Sequence, residues 1–220
     1  QAGGTPSRRE AALAALGGCA CWACSATPAS ALAALTAPTQ TNYDPPRNTL
    51  KDSSFARGMA SGMKSYEAAV APTKSQLFLR LLRELPPRDA FVVELGIGSF
   101  PNAPFYSTTS VPLDVVGIDP NDAMKEYALR AAAPLVAAGS SVRFVHGVGE
   151  ALPLADSSAD AIVCTLTLCS VPSPERTLAE VRRVLKPGGR FLFLEHVLSE
   201  TSPALAKAQR LLSPMQVEGK

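Results

Sequence analysis

The chain has 220 residues, 46% of them hydrophobic, with 21 basic against 19 acidic side chains and a formal charge of +2. That length holds one domain with a sizeable core plus an appended segment. Basic residues are scattered apart from Arg8-Arg9 and Arg182-Arg183, which excludes the clustered basic face of a nucleic-acid groove.

Five cysteines fall as Cys19, Cys21, Cys24, Cys164 and Cys169, an odd and lopsided set that is not a disulfide framework. Gln1 in place of Met reads as a processed or partial chain. No charged residue lies between Glu10 and Asp44, and Arg8-Arg9 precedes an Ala/Leu run that reaches Ala31-Leu32-Ala33. A basic pair, an apolar stretch and a small-x-small site are the parts of an export signal, and the absence of acids also suits a plastid transit region. The alternatives are an Ala-rich tail and a weakly hydrophobic membrane anchor. Cys19, Cys21 and Cys24 lack a nearby fourth ligand, which argues against a metal site. Residues 1–36 are therefore expected to be a targeting or low-complexity segment, 37–50 a Pro-rich linker, and 51–220 the folded domain.

Phe55, Met59, Met63 and Tyr66 recur at near-helical spacing, with Gly58 and Gly62 weakening that helix. A second helix, about 73–85, carries Leu77, Phe78, Leu81, Leu82 and Leu85, and Pro86-Pro87 stops it. Both stripes read as core, and Tyr66 is placed to cover the mouth of a site. An apolar run from Ala90 to Leu95 then ends in Glu94-Leu95-Gly96-Ile97-Gly98, the pattern of a buried parallel strand entering a tight ligand-binding turn.

Leu113–Ile118 reads as a second strand ending at Asp119-Pro120-Asn121. An acid there suits ribose hydroxyls, although Asp119 could instead cap the following helix. Val142–His146 and Asp160–Thr165 give the third and fourth strands, and Arg190–Val197 the fifth. Between the last two, Ser173-Pro174 starts a helix that buries Leu178, Val181, Val184 and Leu185, with Pro187-Gly188-Gly189 as its stop. The alternation means an α/β fold: a Rossmann-like, doubly wound, mostly parallel sheet with helices on both faces and a ligand at the strands' C-terminal edge.

Several motifs now agree: ELGIG (94–98), Asn102 with Phe105-Tyr106, IDPN (118–121), GEALP (149–153) and the block from Val163 to Val197. Residues 90–198 resemble class I S-adenosylmethionine-dependent methyltransferases of the small-molecule type. Within them they look most like the methyltransferase-like thiol methyltransferases and their plant and algal relatives. The resemblance implies S-adenosylmethionine as cofactor and a small, thiol-bearing or lipophilic acceptor. It implies Glu94, Gly96 and Gly98 at the methionine part and Asp119 with Pro120 at the ribose. Val148, Gly149 and Glu150 are implied beside the adenine, and Thr165 and Leu166 at the sulfonium.

No dedicated acid or base is obligatory, because the methyl donor is already electrophilic. Cys164 and Cys169 read as packing residues. His146 and His196 sit at strand ends where either could act as a base, with structural roles favoured. Three departures stand out: Phe100 replaces the third glycine, Val148 stands where Asp is frequent, and two expected C-terminal strands are missing. The last suggests a truncated chain. Chloroplast targeting and peripheral membrane association are further expectations, with no metal and no nucleic acid. Competing readings are a C- or O-methyltransferase of quinones or isoprenoids and a cofactor-binding protein without turnover. A nicotinamide oxidoreductase is disfavoured by Ser99-Phe100-Pro101 after the glycines.

Overall fold

The unbroken apolar run of β1 (Ala90–Leu95) is buried at every position, as a central strand covered on both faces must be. The computed structural model describes residues 34–36, 42–87, 89–109 and 111–218, with side chains to residue 210. β1 pairs in parallel with β2 (Leu113–Asp119) on one side and β4 (Ala159–Thr165) on the other. β3 (Ser141–His146) and β5 (Leu185–Leu194) complete the sheet in the order β3-β2-β1-β4-β5. The order reverses between β1 and β4, which is where ligands bind in open parallel sheets.

Side chains alternate across each strand, so β1 feeds two cores. Ala90 and Val92 face one layer with Ile97, Phe100, Tyr106, Phe78 and Ala132. Phe91, Val93 and Leu95 face the other with Ile118, Ile162, Cys164, Val181 and Val184. The first layer is covered by α2 (Lys64–Glu84), α3 (Ala103–Tyr106) and α4 (Lys125–Ala137), the second by α5 (Pro174–Val184). α1 (Thr49–Gly62) precedes them, capped by the Asn48 side chain, which accepts from the N–H groups of Leu50 and Lys51. α6 (Pro203–Glu218) follows β5, which forms one edge of the described sheet.

Several sequence expectations change. The stripe expected on the first helix is not core: Phe55 is half exposed and Ala56 is the buried residue of α1. The second helix starts at Lys64, not near 73, with Pro72 on its exposed side, where water can satisfy the carbonyl it frees. It buries Lys74 beside Phe78 and Leu81, with Leu77, Leu82 and Leu85 partly covered.

In α5 the inward face is Thr177, Val181 and Val184, while Leu178 is exposed. The rotation is set by Gly149: a Cβ there would lie 2.8 Å from the Thr177 methyl, so glycine lets Thr177 pack inward. β5 begins at Leu185 and not at Arg190, because Leu185 pairs with Ala159 and Pro187-Gly188-Gly189 loops out before Arg190 pairs with Ala161.

The boundaries at 36 and 50 also shift. Ala34 is buried, Leu35 bridges Leu154, and Thr36 donates its N–H to the Pro153 carbonyl, so 34–36 belong to the fold. Residues 42–48 are tied down as well, through Asp44 to His146 and Arg47 to Asp52. The expected signal, its cysteines and the anchor alternative concern residues 1–33, outside the described residues.

A candidate active site at the C-terminal edge of the sheet

β1 delivers the chain into a turn whose backbone alternates into the left-handed region at Gly96 (φ 65°), Gly98 (φ 52°) and Phe100 (φ 60°). The N–H groups of Gly96 and Ile97 both donate to the Ile118 carbonyl, anchoring the turn on β2. The two glycines do different work. A Cβ on Gly96 would lie 2.3 Å from Thr167 Oγ1, so glycine admits the loop after β4. At Gly98 the nearest atom is the Gly96 carbonyl oxygen at 3.9 Å, so glycine keeps open the space through which a ligand reaches the backbone. Phe100, the odd member of the motif, takes a conformation that L side chains rarely adopt. Burial against Tyr106, at 5.7 Å between ring centroids, fixes it there.

Asp119 links this turn to the loop after β2. Its Oδ2 accepts the Gly98 N–H at 3.0 Å and its Oδ1 the Asn121 N–H at 2.9 Å. Burial pushes its carboxyl above the ordinary range, against the pull of those two N–H groups, Arg47 and His146. The helix cap role falls to Asn121, whose side chain accepts from Ala123 N–H. Asp119 is thereby left as a nearly buried carboxylate with lone pairs to spare at the strand end.

Glu94 sits behind the turn. It is 1% exposed, and Asn102 Nδ2 and the Tyr106 hydroxyl donate to its two oxygens. Asn102 also donates to Thr165 Oγ1 at 2.9 Å, which links β1 to β4, and its own Oδ1 is buried without a partner. Burial pushes Glu94 up to about 7, against Tyr106, Asn102 and the charge of Lys74, while Glu67 adds to the rise. Lys74, buried in α2, holds Glu67 at 2.7 Å. The sequence reading missed it: a lysine between Thr73 and Ser75 reads as solvated, and nothing local shows that it pairs with an acid two turns earlier on the same helix.

Val148, Gly149 and Glu150 follow β3, next to Asp119 through the hydrogen bond from Gly147 N–H to the Asp119 carbonyl. Glu150 Oε1 accepts the Ser173 N–H, so this side chain fixes the loop before α5; Oε2 has no partner. At the end of β4, Thr165 and the following Leu166 are half-buried, with Leu166 in the left-handed region (φ 57°) and its N–H on the Leu194 carbonyl. Glu195 was also missed. Its Oε1 accepts the N–H groups of Thr167 (2.9 Å) and Leu168 (3.0 Å), pinning this loop, while Oε2 is buried and unpartnered.

The residues singled out in the sequence thus share one edge, formed by the ends of β1 to β4. Cys164 is buried and its thiol is pushed far up by burial, consistent with packing. His146 is held by Asp44 (2.9 Å) and Asp122 (3.1 Å), a structural role, whereas His196 lies against the Tyr66 ring at 5.6 Å.

The donor set fits S-adenosylmethionine. Gly98 opens a cradle that a Cβ would fill, and beside it Asp119 keeps acceptor capacity at the strand end suited to ribose hydroxyls. A family model described as a methyltransferase domain matches residues 93–193. The chain is 38% identical over 154 residues to the human thiol S-methyltransferase TMT1A, covering 68% of this chain and 60% of that protein. Over 81 residues it is 47% identical to the ubiquinone/menaquinone biosynthesis C-methyltransferase UbiE of Methylobacterium nodulans, 37% of this chain and 31% of that one. A solved SAM-dependent methyltransferase from Methanosarcina mazei superposes with a TM-score of 0.53 at 28% identity, covering 62% of this chain and 66% of the other. The chain spans 60% or less of the length of these curated relatives. Sheet order, the placement of the glycine turn against Asp119 and these matches together put residues 93–193 in the class I S-adenosylmethionine-dependent methyltransferase family.

Proposed function

We propose that the protein transfers a methyl group from S-adenosylmethionine to a small-molecule thiol. The observation that carries the cofactor half is the left-handed Gly96–Gly98 turn bound to Asp119 and open at Gly98. The thiol half rests on the likeness to TMT1A. The cofactor supplies an electrophilic methyl group, and this chain's residues orient it and keep its charged end in a preorganised polar setting.

Asp119 accepts from the ribose hydroxyls, with Pro120 shaping the same loop. The backbone of Val148, Gly149 and Glu150 flanks the adenine, since the Glu150 carboxyl is already engaged with Ser173. Thr165 and Leu166 would line the reacting end of the site, and the Gly96–Gly98 backbone would hold the methionine end. Glu94 acts one layer back, by fixing Asn102 and Tyr106 beneath the turn.

A quinone C-methyltransferase is the second reading, supported by the UbiE likeness. Among the described residues no helix is long and apolar enough to cross a membrane. The uncharged, Ala-rich stretch before Asp44 supports plastid targeting, which fusion of residues 1–36 to a fluorescent reporter tests. The function itself is tested by mass spectrometry of methyl transfer to a panel of thiols and prenylquinones. Methylated thiol supports the reading, methylated quinone alone favours the second, and bound cofactor without turnover favours a binding protein.

A further inference from the structure

At the sheet's edge beyond the cofactor turn, a chain of contacts leads to a pair of side chains with no part in the cradle. Gly96 abuts Thr167, whose Oγ1 donates to the Leu95 carbonyl at 3.1 Å. Thr167 N–H is held by Glu195, and the next residue, His196, packs edge-on against Tyr66 of α2 with ring centroids 5.6 Å apart. Glu67 on the same helix, Cys169 after β4 and Glu195 at the end of β5 lie around Tyr66, so α2, the loop after β4 and the end of β5 converge there. His196 is exposed while Tyr66 is half-buried, and Glu195 Oε2 is buried without a partner beside them.

Two features separate His196 from the other histidine. His146 has both ring nitrogens engaged by Asp44 and Asp122. His196 has its ring held by an aromatic edge contact, and among the described residues no hydrogen bond engages its nitrogens. It follows β5 by two residues, past Leu194, which pairs with Thr165 and accepts the Leu166 N–H, whereas the ribose-side groups cluster around β2 and β3.

We propose that His196 is the base that takes the acceptor's proton and that Tyr66 is its positioning residue, with the acceptor lying between α2 and the ends of β4 and β5. This rests on the methyltransferase reading. The neutral imidazole nitrogen accepts the S–H proton as the sulfur's electron pair forms the new S–CH3 bond. The C–S⁺ bond to the donor breaks, its electron pair stays on the donor sulfur, and the imidazolium then releases its proton to water. The charged and titratable groups around the pair are Glu67 from α2, Cys169 from the loop after β4, and Glu195 at the end of β5.

The test compares two thiols at pH 7: an alkyl thiol, which is protonated, and a nitro-substituted aryl thiol, which is already thiolate. His196→Gln is expected to lower kcat/KM for the alkyl thiol by about a hundredfold and to leave the aryl thiol within a few-fold, with calorimetric affinity for S-adenosylmethionine unchanged. Tyr66→Phe, which keeps the ring contact, retains the alkyl activity, and Tyr66→Ala reproduces the selective loss. Equal loss on both thiols, or none on either, overturns the proposal.

If the wild-type chain binds the cofactor yet methylates neither thiol, the parent reading fails, and imidazole NMR then reads the subsite by itself. The chain has two histidines, His146 and His196. An aryl thiol added with the demethylated cofactor should shift the His196 resonance and leave His146 still. No shift, or an equal shift of both, counts against the subsite.

Discussion

Glu94 gives the sharpest physical expectation. Its carboxyl is fully enclosed, and burial lifts it from 4.5 to about 7 in the folded chain, despite the hydrogen bonds from Tyr106 and Asn102 and the charge of Lys74. Between those two values the folded state holds a proton that the unfolded state has released, so stability falls as pH rises from about 4.5 to about 7. At about 1.4 kcal/mol per pKa unit, the loss attributable to this one group is about 3 kcal/mol.

Glu94→Gln removes the titration while keeping the shape, and the unpartnered Asn102 Oδ1 can accept from the new amide once the Asn102 side chain turns over. Thermal unfolding of both proteins, followed by circular dichroism from pH 5 to pH 8, reads the difference, and the titration of groups remote from Glu94 cancels in the comparison. The melting temperature of wild type relative to the variant should fall by roughly 6–12 °C across that range for a domain of this size. A constant offset, or one that grows in favour of wild type as pH rises, refutes the placement of Glu94 as a protonatable buried acid.

The two glycines should separate stability from binding. Gly96→Ala forces a Cβ onto Thr167 and strains a positive φ, and should cost about 2 kcal/mol or more in urea unfolding. Gly98→Ala meets no side chain and should cost about 1 kcal/mol, yet abolish measurable cofactor binding by calorimetry. Asp119→Ala should weaken cofactor binding by about tenfold or more in a folded protein; unchanged affinity removes Asp119 from the site. At His146 burial lowers the pKa, but Asp44 and Asp122 outweigh it and the net shift is upward. Its stabilising contribution is therefore complete below about pH 6.5 and lost as pH rises through the raised value. His146→Gln should accordingly lower the melting temperature at pH 6 and leave it nearly unchanged at pH 9.

The central sheet was legible because its signals are local. The run from Ala90 to Leu95, the acid at 119 and the Ser173-Pro174 start each carry their meaning within a few residues, and Ser173 Oγ does accept the Arg176 N–H. What was not legible depends on partners far along the chain. The charge of buried Lys74 reaches Glu94 on β1, Thr177 is turned inward by a glycine 28 positions earlier, and Glu195 caps a loop 28 residues before it. The Phe55 stripe failed for a related reason: helical spacing shows that one face is apolar, but the tie between Asn121 Nδ2 and the Asp52 carbonyl brings that part of α1 over the loop after β2. At the candidate site, spacing put the glycine turn and Asp119 at neighbouring strand ends, where Gly98 N–H donates to Asp119 Oδ2. It did not show that Glu94 stands behind the turn or that Gly96 and Gly98 serve different neighbours.

The most direct test of the account is calorimetric titration of the chain with S-adenosylmethionine, and with NADH as the competing dinucleotide. The account predicts saturable binding of S-adenosylmethionine, lost in Gly98→Ala and weakened in Asp119→Ala, and no binding of NADH. A folded chain that binds NADH and not S-adenosylmethionine would contradict it.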